Sequence, residues 1–158
     1  MKPQAAPLES ETEAERITRN WNEILQELRV TQTGTQILLG FLLTLPFQAR
    51  FGDIEGGQVG VYLALVIVAA LATILAIAPV ALHRALFRRG AKPELVRVAN
   101  VLMRLALAAI SLALSGTVFL IFDVVVGHPA ALIAGGGTLA LTAAMWAVLP
   151  AFLSGPPE

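Results

Sequence analysis

The chain has 158 residues, no cysteine, and 11 basic side chains balanced by 11 acidic ones. Charged residues make up 14% of it, against roughly 25% in soluble domains, while hydrophobic residues reach 56% and the mean hydropathy is +0.74. These values exclude a disordered chain, a disulfide scaffold and a basic nucleic-acid binder, and the apolar content exceeds what one water-soluble core of this size can hide.

Charge is concentrated at the start, where residues 1–30 hold four basic and six acidic side chains of the 22 in the chain. Residues 1–10, with Pro3 and Pro7, read as a disordered tail. Residues 11–29 read as a cytoplasmic amphipathic helix, because Ala14, Ile17, Trp21, Ile24 and Leu28 recur at steps of 3, 4, 3 and 4, and Leu25 widens the stripe. Ser10 with Glu13, and Thr12 with Glu15, each match a capping box. From Glu9 to Arg29 the net charge is −3, the wrong sign for a helix held on anionic headgroups. The stripe is therefore expected to lie against the rest of the chain or against a partner.

A helix rises about 1.5 Å per residue, so roughly 20 apolar residues cross a hydrocarbon core about 30 Å thick. Four stretches qualify, at 30–49, 57–82, 98–122 and 130–153, followed by a short tail at 154–158. The first is the most polar, carrying Gln32, Gln36 and three threonines before Gly40, and Pro46 is expected to kink or end it. None shows period-2 alternation, so the expected fold is all-α: a polytopic membrane protein with four transmembrane helices in antiparallel hairpins, preceded by the amphipathic helix. Lys2, Arg16, Arg19 and Arg29 at the N-terminus and Arg84, Arg88, Arg89, Lys92 and Arg97 in the central loop fall on one side, whereas the opposite side has Arg50 alone. Basic loops stay inside, which predicts a multi-pass protein of the bacterial cytoplasmic membrane with both termini cytoplasmic. The acidic, amphipathic N-terminus argues against a secretory signal.

Ionisable groups within a bilayer are functional candidates because leaving them unpaired there is costly. Arg97, Asn100 and Arg104 share one helix face with Ser111 and Ser115. Arg104 either snorkels to the inner interface or pairs with Glu23 or Glu27, and the sequence favours the pair. Arg29, Gln32, Gln36 and Gly40 form a second polar line expected to face the other helices, as packing glue or as a polar pathway. Together Glu23, Glu27, Arg29, Gln32, Gln36, Arg97, Asn100 and Arg104 make the candidate polar cluster. On the outer side, Asp53, Asp123 and His128 are the candidate proton or ion residues. Gly56, Gly60 and Ala64, and Gly136, Ala140 and Ala144, follow small-xxx-small spacing and are expected to mark close helix contacts within one chain or between copies.

Enzyme chemistry has little to stand on. Without cysteine, a metal site needs histidines and carboxylates, and His83 and His128 fall on opposite faces of the membrane. Gly135, Gly136 and Gly137 lack the Lys and Ser or Thr of a phosphate loop. No catalytic residue, cofactor or metal is expected. Partners are the lipid bilayer and, by the same reading, a second copy or another membrane protein, with no nucleic acid.

The run Asn22-Glu23 through Gln26-Glu27-Leu28-Arg29-Val30, then Gln32-Thr33-Gly34 and Gln36, resembles a family of small bacterial four-helix membrane proteins classed as a domain of unknown function. Pro79, Val80, His83, Arg84, Leu86, Phe87 and Arg88 resemble a second element of that family. The resemblance covers most of the chain and supplies no established catalytic residues. Some members carry a sodium:proton antiporter label, although known antiporters of that type are much longer and built on inverted repeats, and no repeat is visible here. Two functional classes follow: an accessory or interaction subunit docking through its N-terminal helix, or a small oligomeric ion or proton transporter or channel. The first is preferred, because the second and fourth spans contain no charge to bind a travelling ion.

Overall fold

The computed structural model describes residues 12–49, 51–86 and 92–148. The expected tails at 1–10 and 154–158, Ser10, Arg50, and Arg88 and Arg89 of the central loop lie outside the described residues. Among those described there are helices and turns and no strand. Helix α1 runs Glu13–Thr44, α2 Gly56–Leu86, α3 Lys92–Val125 and α4 His128–Ala143, the last continuing as a π-helical turn over Ala144–Val148.

The expected division between an amphipathic helix at 11–29 and a span at 30–49 is absent. The backbone stays helical throughout α1, because Gly34 and the threonines are weak helix formers but none removes a backbone donor. Thr12 caps it: the Glu15 amide donates to the Thr12 hydroxyl at 3.3 Å, and the Glu15 carboxylate accepts from the Thr12 amide at 2.8 Å. Helix α1 stops at Thr44, two residues before Pro46, which sits in a 3-10 turn at Leu45–Phe47. Between α3 and α4 the chain turns at Gly127 (φ 119°, ψ 168°), a conformation reserved in practice for glycine, and Pro129 opens α4.

Helices α1, α2 and α3 touch one another, whereas α4 meets only α3 among the described helices. The arrangement is thus a three-helix group with a fourth helix leaning on one side, rather than a closed four-helix bundle. Buried positions follow heptad steps. On α1 they are Ile24, Leu28, Thr35 and Leu42; on α2, Tyr62, Leu65, Ala69, Ala72, Ala76 and Pro79; on α3, Ala99, Met103, Ala106, Ala113 and Leu120, with Ser115 buried off this line. Alternating steps of three and four place a residue on the same side every two turns, the geometry of helices crossing at a shallow angle. Alanines dominate the middle of the seam, while Ile24, Leu28, Ala99 and Met103 cluster at one end and Leu42, Tyr62, Leu65, Ala69, Ala113 and Leu120 at the other. Large aliphatics point outward, with Ile67 69% and Ile133 77% exposed.

Within the chain, the small residues picked out by spacing make no close contact. Gly56, Gly60, Gly136 and Ala140 are all exposed, and a Cβ placed on any of those three glycines would meet nothing within 4 Å. The close approaches occur at Gly116, where a Cβ would run into the Leu65 side chain, and at Gly135, where it would lie 2.7 Å from Phe119 Cβ and 3.2 Å from the Ser115 carbonyl oxygen. One residue of register, 100° around the helix, separates Gly136 from the true contact.

Two outcomes are expected. Gly135→Val should weaken α4 docking by about 1–3 kcal/mol, the usual range for overpacking, while Gly136→Ala stays close to the parent in thermal unfolding in micelles. The Thr12 hydrogen bonds hold the Glu15 carboxyl below its ordinary value. Stability from this cap is therefore present above the unfolded glutamate range and lost as pH falls through the lowered one. Protection of the Glu15 amide, the intrinsic exchange rate at each pH divided by the observed one, should fall on acidification in the parent more than in Glu15→Gln.

Candidate functional site

The outer hairpin ends carry the tightest polar geometry. The Glu55 amide donates to Gln58 Oε1 at 3.0 Å, Gln58 Nε2 donates to Asp123 Oδ2 at 3.0 Å, and His128 Nδ1 lies 2.8 Å from Asp123 Oδ1. Asp123 thus ties the start of α2 and the start of α4 to the end of α3. Its side chain is 14% exposed, against 68% for His128. The imidazole also meets the Phe119 ring edge-on, with centroids 5.6 Å apart. With a carboxylate as acceptor, the Nδ1 proton is the one placed on Asp123, leaving Nε2 toward the surroundings. Asp53, the third outer candidate, is exposed and makes no hydrogen bond or ion pair among the described residues.

Gln58 was missed by sequence reasoning, although a lone amide at the start of an otherwise apolar span is the signal that marks it. Tyr62, one turn further on, donates its hydroxyl to the Leu42 carbonyl at 2.9 Å and packs edge-on against Phe51. Beside these residues lies an apolar cavity of about 220 Å³ lined by Leu45, Phe51, Ile54, Leu120 and Val124. Its walls offer an ion almost nothing to bind.

The interior polar line of α1 divides. Gln32 turns inward and donates to the Ala76 carbonyl at 3.0 Å, beside the stretch of α2 where Pro79 removes a helical donor and frees the Leu75 carbonyl. Neighbouring side chains commonly make good such a break inside a bilayer, and Gln32 occupies that place. Thr35 is buried and bonds the Gln32 carbonyl at 3.0 Å. Arg29, Gln36 and Gly40, expected to face the other helices, are exposed instead. The physical reason is angular: the heptad through Leu28, Thr35 and Leu42 sets the buried face, and Gln36 stands 100° past Thr35.

At the other end, Arg97, Asn100 and Arg104 lie on one exposed flank of α3. Glu27 and Arg104 form no ion pair among the described residues, and Glu23 is within 3.8 Å of Arg19 on its own helix. The expected pair between Arg104 and Glu23 or Glu27 is therefore not made. An exposed contact such as Arg19 with Glu23 contributes little. Ser111 is partly buried, and Ser115 is buried with a hydroxyl that lacks a partner among the described residues. The eight residues of the candidate polar cluster are thus spread along two helices and over several faces. No group of three metal-ligating side chains occurs among the described residues.

Asp123→Asn should destabilise the assembly by about 1–3 kcal/mol through loss of charge-assisted hydrogen bonds, whereas Asp53→Asn leaves it unchanged. Nitrogen-15 resonances of His128 should report the Nδ1–H tautomer in the parent and lose that preference in Asp123→Asn.

Helices α2, α3 and α4 are each long and apolar enough to cross a membrane, over Gly56–Arg84, Val96–Val125 and His128–Trp146. Helix α1 is not among them. No curated protein and no solved structure matches the chain. Residues 10–150 match a family of unknown function, DUF6328, and the chain, with its Gln58–Asp123–His128 clasp and its continuous first helix, belongs to that family.

Proposed function

We propose that the chain is a four-span protein of the bacterial cytoplasmic membrane, with both termini cytoplasmic, that serves as an accessory or interaction subunit docking through its N-terminal helix. The levels of polar groups support the fourth span. Counting about 20 residues, or 30 Å, inward from Gln58, Asp123 and His128 reaches Ala78, Met103 and Val148, and the same count from Thr44 reaches Ile24. Ile24 and Met103 pack in one cluster together with Val80, two residues past Ala78, so the counts on α1, α2 and α3 end at one level. Arg104 then sits at the inner interface rather than deep in hydrocarbon, and Arg97 and His83 lie beyond it. Exposure without an ion-pair partner is what a snorkelling arginine requires.

One observation carries the docking role: α1 is a single rigid helix that continues from Thr44 to Glu13, about 16 Å past Ile24 at 1.5 Å per residue. Among the residues of this extension whose side chains are described, Glu15, Arg16, Arg19, Asn22 and Glu23 are exposed. In sequence the apolar steps continue there through Trp21, Ile17 and Ala14, which gives a partner helix an apolar stripe bordered by charge. Enzymatic turnover is no part of this reading.

The Asp123–His128 contact favours a second reading, a small proton or ion transporter, since a histidine held on a carboxylate can exchange protons at the outer face. The two are separated by one pair of measurements. A photoreactive residue at Trp21 should crosslink to one constant protein in membranes, and sealed vesicles containing the purified chain should show no proton or sodium flux. Flux that disappears in Asp123→Asn or Glu27→Gln would overturn the docking role in favour of transport.

A further inference from the structure

Gln36 is the polar side chain the rest of the chain leaves unaccounted for. It lies eight residues before Thr44 and twelve after Ile24, about 12 Å and 18 Å along α1, which puts it near the midplane if α1 spans. Its side chain is exposed and makes no hydrogen bond among the described residues. Its neighbours on that flank need nothing: the Thr33 hydroxyl donates to the Arg29 carbonyl at 3.0 Å, and the Thr44 hydroxyl to the Phe41 carbonyl at 2.7 Å. Ile37 is 56% exposed. Gly40, one turn above Gln36, has open space where a Cβ would stand.

Lipid chains at this depth offer an amide neither donor nor acceptor, and water is scarce there. The group that fits is another amide at the same depth. We propose that α1 pairs with α1 of a second copy about a twofold axis along the membrane normal, with the Gln36 amides of the two copies donating to each other and Gly40 letting the backbones approach. Three features single out a second copy. An amide is both donor and acceptor and so complements itself; a twofold axis along the normal brings identical residues together at equal depth; and between Gln36 and Thr44 the flank carries no other unmet polar group. Arg29 lies on the same flank two turns nearer the cytoplasm, about 8 Å inside the level of Ile24, where helices diverging from a crossing at Gly40 hold the two guanidinium groups apart and each long stem carries its charge toward the inner interface. The inference rests on the reading that α1 crosses the membrane and is independent of what docks on the cytoplasmic extension.

Because the chain lacks cysteine, a single introduced thiol gives an unambiguous report. Gly40→Cys, which keeps Gln36, should form a disulfide dimer on mild oxidation in vesicles of phosphatidylethanolamine and phosphatidylglycerol. Gly34→Cys, about 160° around the helix from Gln36 and 120° from Gly40, should not. Fluorescence transfer between labelled copies should show Gln36→Leu associating about 3- to 30-fold more weakly, with Gln36→Asn retaining part of the affinity. Equal crosslinking from both cysteines, or undiminished association of Gln36→Leu, would overturn the pairing. Rapid labelling of Gly40→Cys by a water-soluble maleimide in intact vesicles would instead remove α1 from the bilayer and take the pairing with it, while slow labelling without a dimer would defeat the pairing alone.

Discussion

Packing among these helices is governed by how closely two backbones can come, because in hydrocarbon one apolar side chain gains little by leaving lipid for another. That constraint explains the inverted appearance of the core. Ala69, Ala72 and Ala76 on α2 face Ala99, Ala106 and Ala113 on α3, all almost fully buried, while Ile67, Ile74 and Leu105 are turned outward. Dispersion contacts between main chains replace the water-driven burial of large side chains that holds a soluble domain together. Gly116 against Leu65 and Gly135 against Phe119 extend the same logic to positions where even a methyl group has no room.

Backbone and side-chain polarity is managed locally. Thr73, Thr117, Thr138 and Thr142 each return their hydroxyl to the carbonyl four residues earlier, so they add no polar demand to the helix surface. Among the described residues, bonds between helices are few and, apart from the weak contact of the Thr31 hydroxyl with Met103 sulfur, sit where the ladder is interrupted or ends: Gln32 beside the Pro79 break, Tyr62 on the last carbonyls of α1, and Gln58 and His128 on Asp123 at the hairpin ends. Ser115 stands apart, its hydroxyl enclosed between α3 and α4 without a partner among the described residues.

The all-helical class and the three helices long and apolar enough to cross a membrane were legible because length and hydropathy decide them, and Thr12 with Glu15 announced the start of α1, although the stretches read as 11–29 and 30–49 form one helix. Which face of each helix packs was much less legible. In a water-soluble helix, apolar against polar residues marks the buried face; here both the lipid-facing and the packed faces are apolar, and only size distinguishes them. A search for glycine spacing therefore settled on Gly56, Gly60 and Gly136, while the contacts ran through alanines and through Gly116 and Gly135. Gln32 and Gln36 look alike in sequence, yet a single 40° difference around the helix puts one on α2 and the other outside. Arg104 looked deep because depth was counted from Arg97; counted from Asp123 it is 19 residues away, about 28 Å along α3, close to one full membrane thickness. The outer pair of Asp123 and His128 was readable because the turn at Gly127 and Pro129 holds them five residues apart across a helix junction. Gln58, contributed from a distant part of the chain, was not.

Helix α1 is the least apolar of the four, and its firmest interhelical hydrogen bonds, Gln32 to the Ala76 carbonyl and the Leu42 carbonyl to Tyr62, all run to α2. During biogenesis neither partner exists until α2 has emerged from the ribosome, so a nascent α1 alone faces the insertion machinery with its amide and its terminal carbonyl unanswered. If α1 spans the membrane as proposed, entry of the first two helices as a preassembled hairpin follows from this, with the turn between them carried across in the same event.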